Sequence, residues 1–129
     1  MSEDLPNAAS CVRLLNGDQV QVDYRPGGTA AHDRFVAHVK RVLRRAGFPL
    51  VLRHGFGIQA PSHQCGTVRM GNNPATSALN TMCRAHDHIN LYVVDAGFFP
   101  SSAALNPALT IAAQALRVGA HLRNTRAAW

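Results

Sequence analysis

Apolar and polar residues alternate in the second half of residues 11–24, where the apolar positions are Val20, Val22 and Tyr24. Alternation of this kind is typical of a half-buried β-strand. Asn16-Gly17 divides the segment, and this pair tolerates the positive φ angles of a tight turn. The pattern therefore predicts a β-hairpin, which ends at Pro26-Gly27-Gly28.

Helical spacing replaces the alternation from about Thr29 to Ala46. One apolar stripe contains Phe35, Val36, Val39, Val42, Leu43 and Ala46. Thr29 can cap the start of this helix, and Gly47 supplies a left-handed stop at its end. Pro49 prevents the helix from resuming. We predict an amphipathic helix over residues 29–46.

Two further elements are predicted in the second half of the chain. Leu91-Tyr92-Val93-Val94 has the length and composition of a buried strand and ends at Asp95. A final helix is predicted from about Pro107 to Leu122, because Asn106 is a favourable N-cap and proline suits the first helical position. Its apolar face comprises Leu109, Ala112, Ala113, Leu116 and Val118.

A short β-like segment, residues 50–53, leads into residues 55–60, which formally match the dinucleotide pattern G-x-G-x-x-A. That pattern binds a pyrophosphate only where a helix begins, and an acidic residue follows about 20 positions later. Here Pro61 and polar residues follow, and the later acidic residue is missing. We therefore do not interpret this segment as a Rossmann site.

The chain of 129 residues is long enough for one domain or a piece of a larger one. Apolar residues make up 47%, which allows a core, but no run approaches the roughly 20 residues of a membrane span. The first residues contain two acids and no apolar run, so we expect no secretory signal. The net charge of +6 comes with one lysine and 6% aromatic residues, which argues against nucleic-acid binding.

Cysteine usage indicates the redox environment. Three cysteines cannot all pair internally, and without an export signal we expect reduced thiols in a cytoplasmic protein. The nearest approach to a metal motif combines Cys83, His86 and His88. Because no fourth ligand has a familiar spacing, we interpret this segment as a polar loop and predict no metal site.

Several short motifs are more specific than packing requires. Residues 63–71 contain H-x-x-G-T-x-R-M-G, and residues 90–96 read N-L-Y-V-V-D-A. P-S-S, N-P-A-L-T-I and A-L-R follow between residues 100 and 117. In order and spacing, residues 62–122 resemble the glucose–methanol–choline (GMC) family of flavoprotein oxidoreductases. Residues 11–60 fit the segment that precedes the histidine motif in that family.

The resemblance implies an FAD enzyme that oxidises a small alcohol to a carbonyl compound. It implies that His63 is the general base above the flavin and that Asn106 is its partner at the start of the last helix. Asp95 and Ala96 match the turn against the FAD ribityl chain. Pro107 matches the residue beside the isoalloxazine, and Asn106 lies at the helix end that would face the N1–C2=O edge of the flavin.

The chemistry suits these residue types. An imidazole, with an ordinary pKa of about 6.5, can accept the hydroxyl proton, and a carboxamide N–H can stabilise the developing alkoxide. Outside the motifs, His63 would be an ordinary polar histidine and Asn106 a simple N-cap. For Asp95 two roles stay open: a turn residue that ends the strand, or a contact with the cofactor.

The chain also departs from the family pattern. We expect the N-terminal FAD-binding domain to be absent from it, and Gly97 stands where the family often has serine. The expected fold class is α+β: about 10–60 supply a substrate-side hairpin and helix, and 62–122 a strand and C-terminal helix that complete an FAD-binding domain. Residues 1–129 would then be the catalytic C-terminal domain, working with a separate FAD-binding polypeptide or within a longer parent chain. The alternative is a truncated, inactive remnant or a non-catalytic binding module.

Overall fold

The computed structural model describes residues 5–25, 27–55, 63–102 and 105–125. The chain divides into two compact units, Met1–Ser62 and His63–Trp129. The first unit contains strands β1 (Cys11–Leu14) and β2 (Val20–Asp23) and helix α1 (Thr29–Arg45), and the second contains a 3₁₀ helix (Ala96–Phe98) and helix α2 (Ala108–Thr125). A two-stranded antiparallel sheet with two α-helices confirms the α+β class.

The predicted hairpin is present, with Leu14 paired to Val20 across the two antiparallel strands. Its turn is wider than a two-residue Asn-Gly turn, because the Leu15 N–H donates to the Gln19 carbonyl at 2.8 Å. The positive φ falls on Gly17, at 81°, and not on the asparagine before it. Glycine adopts this conformation without a steric penalty, so it sets the turn.

Directly opposed residues of the hairpin share one face, termed here the hairpin face: Val12, Leu14, Val20 and Val22. Each of the four side chains is more than half exposed, and Leu14 reaches 74%. The other face is polar, and there Arg13 Nη1 lies 2.9 Å from Asp23 Oδ2. The alternation therefore predicted the strands correctly, but their apolar side remains exposed.

Helix α1 begins one residue after Gly28, which occupies the N-cap without a side-chain hydrogen bond. The prediction that Thr29 caps the helix is wrong, because Thr29 is already its first helical residue. Asp33 instead pairs with Arg53, at 3.2 Å between Oδ1 and Nη1. The amphipathic pattern, and not a capping side chain, accounts for this helix.

The end of α1 follows the prediction. Gly47 has a φ of 94°, and its N–H donates to the Arg44 carbonyl at 3.1 Å. The next amide, that of Phe48, donates to the Leu43 carbonyl at 3.1 Å. These two bonds form a Schellman motif, which satisfies carbonyls that the helix end would otherwise leave unpaired.

No strand forms at residues 50–53, where Leu50 and Leu52 are 75% and 82% exposed. A strand needs a neighbouring strand for its backbone hydrogen bonds, and the hairpin strands pair with each other. The interpretation of residues 55–60 as a non-Rossmann segment falls largely on residues 56–62, which lie outside the described ranges.

The core of the second unit consists of six buried residues: Leu79, Cys83, Ala85, Phe98, Phe99 and Val118. The rings of Phe98 and Phe99 stack with centroids 4.5 Å apart. Val118 is the contribution of α2 to this core, and Ile111 and Leu122 pack around it. The core thus joins the end of the 3₁₀ helix to the middle of α2.

The predicted strand at 91–94 is not formed. Within the described ranges the segment makes one isolated antiparallel bridge, between Arg84 and Tyr92. The Val93 N–H donates to the Cys83 carbonyl at 3.0 Å, and the Ala85 N–H donates to the Leu91 carbonyl at 2.9 Å. A buried strand requires neighbours along its whole length, and this short pairing supplies them only locally.

Helix α2 confirms the predicted final helix but starts later. The first intrahelical bond runs from the Ile111 N–H to the Pro107 carbonyl, at 2.9 Å. Pro107 therefore occupies the cap position and Asn106 precedes it, which corrects the assignment of Asn106 as the N-cap. The predicted apolar face is divided, because Val118 is buried whereas Leu109 and Leu116 are 82% and 77% exposed. Among the described residues, none of the helices has the length and apolar character that crossing a membrane requires.

Candidate active site

Residues 63–71, termed the histidine loop, are bound to the 3₁₀ helix by a ladder of three backbone hydrogen bonds. Alternate amides of the loop donate to successive carbonyls of the helix: Gly66 to Ala96 (3.2 Å), Val68 to Gly97 (3.0 Å) and Met70 to Phe98 (2.8 Å). Two motifs that are separate in the sequence are therefore adjacent in the fold. The packing of Val68 and Met70 against the buried core stabilises this arrangement.

The 3₁₀ helix is capped by Asp95, whose Oδ1 accepts the Gly97 N–H at 2.7 Å. Gly97 leaves no room for a side chain. An added Cβ would lie 2.8 Å from Asp95 Oδ1 and 3.0 Å from Val68 Cγ2. The glycine that departs from the family pattern therefore permits the close approach of the cap and the histidine loop.

His63 has a left-handed backbone, with a φ of 58°. This conformation is uncommon for a residue with a Cβ and persists where the surrounding structure enforces it. The Nδ1 atom of His63 is buried and has no hydrogen-bond partner in the part of the chain that the structure describes. A buried polar atom without a partner is rare, and a catalytic role is one established reason for it.

His63 lies in a narrow cleft that is partly open to solvent and too tight to hold a water molecule. Among the residues that the structure describes, its lining comprises His63, Cys65, Phe99, Ser102, Leu105 and Pro107. Asn106 lies between the last two of these in sequence and is exposed. The cleft therefore combines the histidine loop with the residues that lead into α2.

The sequence-predicted site residues fall into two groups. His63 and Pro107 line the cleft. Asn106 directly precedes Pro107 in the sequence. Asp95 and Ala96 do not line it: Asp95 caps the 3₁₀ helix, and Ala96 accepts a backbone hydrogen bond from the histidine loop. The second pair therefore lies against the loop that carries His63.

Four lining residues were not among the predicted site residues: Cys65, Phe99, Ser102 and Leu105. All four lie within or next to the motifs, so their positions could have indicated the cleft. Cys65 lines the cleft beside His63, although the proton-transfer chemistry has no need of its thiol.

Helix α2 is fastened to the preceding loop by two polar side chains. Gln114 Nε2 donates to the sulfur of buried Cys83 at 3.2 Å. Arg117 Nη1 donates to the Thr81 carbonyl at 2.9 Å. Arg117 belongs to the A-L-R motif noted in the sequence. These bonds hold α2, and with it Pro107, against the loop around Thr81 and Cys83 of the same unit.

The Cys83–His88 segment contributes to structure. Cys83 is fully buried, and the three cysteines are free thiols. His86 Nε2 lies 3.1 Å from Ser77 Oγ, which itself donates to the Asn73 carbonyl at 2.7 Å. Within residues 5–25, 27–55, 63–102 and 105–125, no three His, Cys, Asp or Glu side chains form a group that could hold a metal.

Comparison with known proteins decides the family. Residues 9–115 match the model of the C-terminal part of the GMC oxidoreductases. The chain belongs to the GMC oxidoreductase family. This confirms the family resemblance, and the match includes the hairpin and α1 as well as the motifs between residues 63 and 111.

Three individual GMC relatives are similar in sequence to this chain. The chain is 39% identical over 125 residues to paromamine 6'-oxidase of Streptomyces fradiae, which covers 88% of this chain and 23% of the relative. It is 38% identical over 117 residues to 6'''-hydroxyparomomycin C oxidase of Streptomyces lividus, covering 84% of this chain and 21% of that relative. It is 43% identical over 132 residues to 2-methyl-1,2-propanediol dehydrogenase of Mycolicibacterium austroafricanum, covering 93% of this chain and 24% of that relative. The chain thus spans about a quarter of the length of these relatives.

Proposed function

We propose that this GMC domain is the C-terminal catalytic part of an FAD-dependent oxidoreductase that acts on the CH–OH group of an alcohol. In this proposal His63 is the general base and Asn106 stabilises the developing alkoxide. The observation that carries it is the buried, unpartnered Nδ1 of His63 in a cleft that Pro107 also lines.

His63 suits proton transfer because its ring is partly buried and lacks an internal partner at Nδ1. In this proposal a substrate hydroxyl brought against the ring in the complete enzyme would meet an imidazole whose Nδ1 has no hydrogen bond to the described residues. Loss of the hydroxyl proton to the imidazole raises the electron density on the alcohol carbon and favours departure of its hydride. FAD, when bound, is the hydride acceptor.

The start of α2 suits a flavin ring edge. Because the first intrahelical bond comes from Ile111, the amides of residues 108–110 have no acceptor within the helix. Such amides and the helix dipole favour negative charge. Asn106 and Pro107 lie at this end and would hold the ring, with the Asn106 N–H directed to the alkoxide. The turn at Asp95 and Ala96 would lie against the ribityl chain.

The two segments of the domain would have different tasks. We propose that residues of about 10–60 belong to the substrate side, and that residues 62–122 carry the catalytic and flavin-facing motifs. The names of the GMC relatives include paromamine and 2-methyl-1,2-propanediol. These names support a small hydroxylated compound as the substrate.

The remaining parts of the enzyme would come from a separate FAD-binding polypeptide or a longer parent chain. The exposed hairpin face and the exposed Leu109 and Leu116 of α2 support this, because large apolar side chains in groups are normally covered. A helix with apolar residues on opposite sides is typical of a buried helix. The free thiols support a cytoplasmic location within the same proposal.

A chimera tests the proposal. The matching C-terminal region of paromamine 6'-oxidase is replaced by this chain, and the purified protein is examined for bound flavin and for oxidation of paromamine. We expect a yellow, active protein. His63→Ala should retain the flavin and lose the reduction of flavin by the alcohol, whereas His88→Ala, at an exposed histidine, should leave the rate unchanged.

The other outcomes distinguish the alternatives. A yellow His63→Ala chimera that is reduced at the normal rate would show that the base is a different residue. A folded chimera that binds flavin but oxidises no alcohol would favour the inactive remnant, and one that binds no flavin would favour a non-catalytic binding module.

A further inference from the structure

We propose that Asp95 is a positioning residue for His63 that acts as the cap of the 3₁₀ helix, and that this role requires a hydrogen-bond acceptor and not a negative charge. The inference deepens the proposed function and rests on it, since it concerns the placement of the same imidazole. It assigns to the Asp95 side chain a task different from direct contact with a cofactor.

The cap is the first step of the argument. Asp95 has an extended backbone, with φ of −98° and ψ of −170°, and its Oδ1 accepts the Gly97 N–H at 2.7 Å. This is the geometry of an N-cap, in which a short side-chain oxygen satisfies an amide of the first turn. The same bond orients the peptide unit that joins Ala96 to Gly97, because the Gly97 amide is part of that unit.

The second step is the ladder that starts from this turn. The carbonyls of Ala96, Gly97 and Phe98 all point toward the histidine loop, where they accept amides at 2.8–3.2 Å. The Ala96 carbonyl shares its peptide plane with the capped Gly97 amide. A turn that loses its cap therefore loses the orientation of the first acceptor, which binds Gly66, the ladder residue nearest to His63.

The third step is the dependence of His63 on its backbone. Its φ of 58° is strained, and a non-glycine residue keeps such a conformation only where its surroundings enforce it. Among the described residues, none forms a hydrogen bond that would fix the ring at Nδ1. The imidazole is therefore placed by the loop, and the loop is placed by the ladder onto the capped turn.

The charge of Asp95 has no visible use. The ion pairs among the described residues are Arg13–Asp23 and Arg53–Asp33, and neither includes Asp95. The carboxylate contributes an acceptor at Oδ1, which an amide or a hydroxyl oxygen also offers. Asparagine, aspartate and serine are nearly equivalent at N-caps, whereas alanine is poor.

The test measures amide hydrogen exchange in the 129-residue chain by mass spectrometry, on a peptide that covers residues 64–71. The variants are Asp95→Asn, Asp95→Ser and Asp95→Ala, with Asp87→Ala as the control at an exposed aspartate of the same unit. We expect Asp95→Ala to speed exchange in this peptide about fivefold, which corresponds to a lost cap of about 1 kcal/mol. The Asn, Ser and control variants should stay within about twofold of the wild type, since they retain an acceptor or leave the cap untouched.

Three results would overturn the inference. Exchange in Asp95→Asn as fast as in Asp95→Ala would mean that the charge matters. Unchanged protection in Asp95→Ala would mean that the cap does not hold the ladder, and an unprotected wild-type peptide would mean that the ladder is not formed in solution.

A second readout separates this inference from the proposed function. In the chimera, Asp95→Ala should lower kcat with little effect on KM, and Asp95→Asn should restore it. A chimera that never turns over, together with the expected exchange pattern, would remove the proposed function and leave the structural role of Asp95 intact. An active chimera in which Asp95→Asn lowers kcat as much as Asp95→Ala would overturn the proposed role of Asp95 and leave the proposed function intact.

Discussion

The side chains of His63 and Pro107 line the same narrow cleft, although one belongs to the histidine loop and the other precedes α2. This relationship connects the candidate base to the helix end that can stabilise negative charge. The loop reaches the cleft through its ladder onto the 3₁₀ helix, and α2 reaches it through its packing around Val118. Both contributions are long-range contacts.

Loss of the Asn106 side chain should reduce turnover far more than cofactor retention, because Pro107 and the free amides at the start of α2 would still hold the flavin ring. In the chimera, Asn106→Ala should lower kcat by about 100-fold, the range found when one donor to a developing oxyanion is removed. Asn106→Asp should lower it further, because a carboxylate repels the alkoxide and donates no proton. Stopped-flow reduction of the flavin measures both effects, and Asn124→Ala, at an exposed position of α2, is the control. An active Asn106→Asp enzyme would contradict the assignment.

Gly97→Ala should destabilise the chain, since the added Cβ meets Asp95 Oδ1 and Val68 Cγ2 at 2.8 and 3.0 Å. Overpacking of this kind costs about 1–3 kcal/mol. Gly119→Ala is the matched control: this glycine lies within α2, and an added Cβ meets nothing within 4 Å. The control should stabilise by about 0.5–1 kcal/mol through helix propensity. Urea unfolding measures the free energy of unfolding of both variants. Equal changes of the same sign in that free energy would refute the crowding at Gly97.

Arg117→Gln should loosen the loop around Thr81 from α2. The lost bond spans 2.9 Å but is exposed, so we expect a cost of about 0.5–1.5 kcal/mol. Arg123→Gln, in the last turn of the same helix, removes an equal charge where no contact to the loop is present, and should change stability less. Thermal unfolding compares the two variants. A larger loss in Arg123→Gln would show that helix charge matters more than the contact.

The hairpin face should make the isolated chain self-associate, because its four large apolar residues are more than half exposed. Combined Val12→Thr and Val22→Thr substitutions keep β-branched side chains while adding hydroxyl groups, and should shift the chain toward the monomer. Gln21→Thr, on the opposite face of β2, is the control. Light scattering after size-exclusion chromatography measures the mass. A wild-type chain that is monomeric at high concentration would contradict this prediction.

Prediction from the sequence succeeded where the signal is local. The hairpin, α1 with its stop at Gly47, and α2 follow from periodicities of two and 3.6 residues and from single turn residues. The prediction of a strand at 91–94 failed, because an apolar run shows that a segment can be buried but does not show which segments lie beside it. The cap positions at Thr29 and Asn106 were each displaced by one residue, since several neighbouring residues can begin a helix.

The sequence by itself determined the hairpin and the two α-helices and, through the order of its motifs, the GMC family. Only the tertiary structure decided that the histidine loop binds the 3₁₀ helix, that Asp95 caps that helix, and that His63 shares a cleft with Pro107. It also decided which side of α2 is buried at Val118 and which is exposed at Leu116. The reason is physical: backbone preferences act over a few residues and can be read in order. Burial and side-chain contacts depend instead on which distant segments the chain brings together.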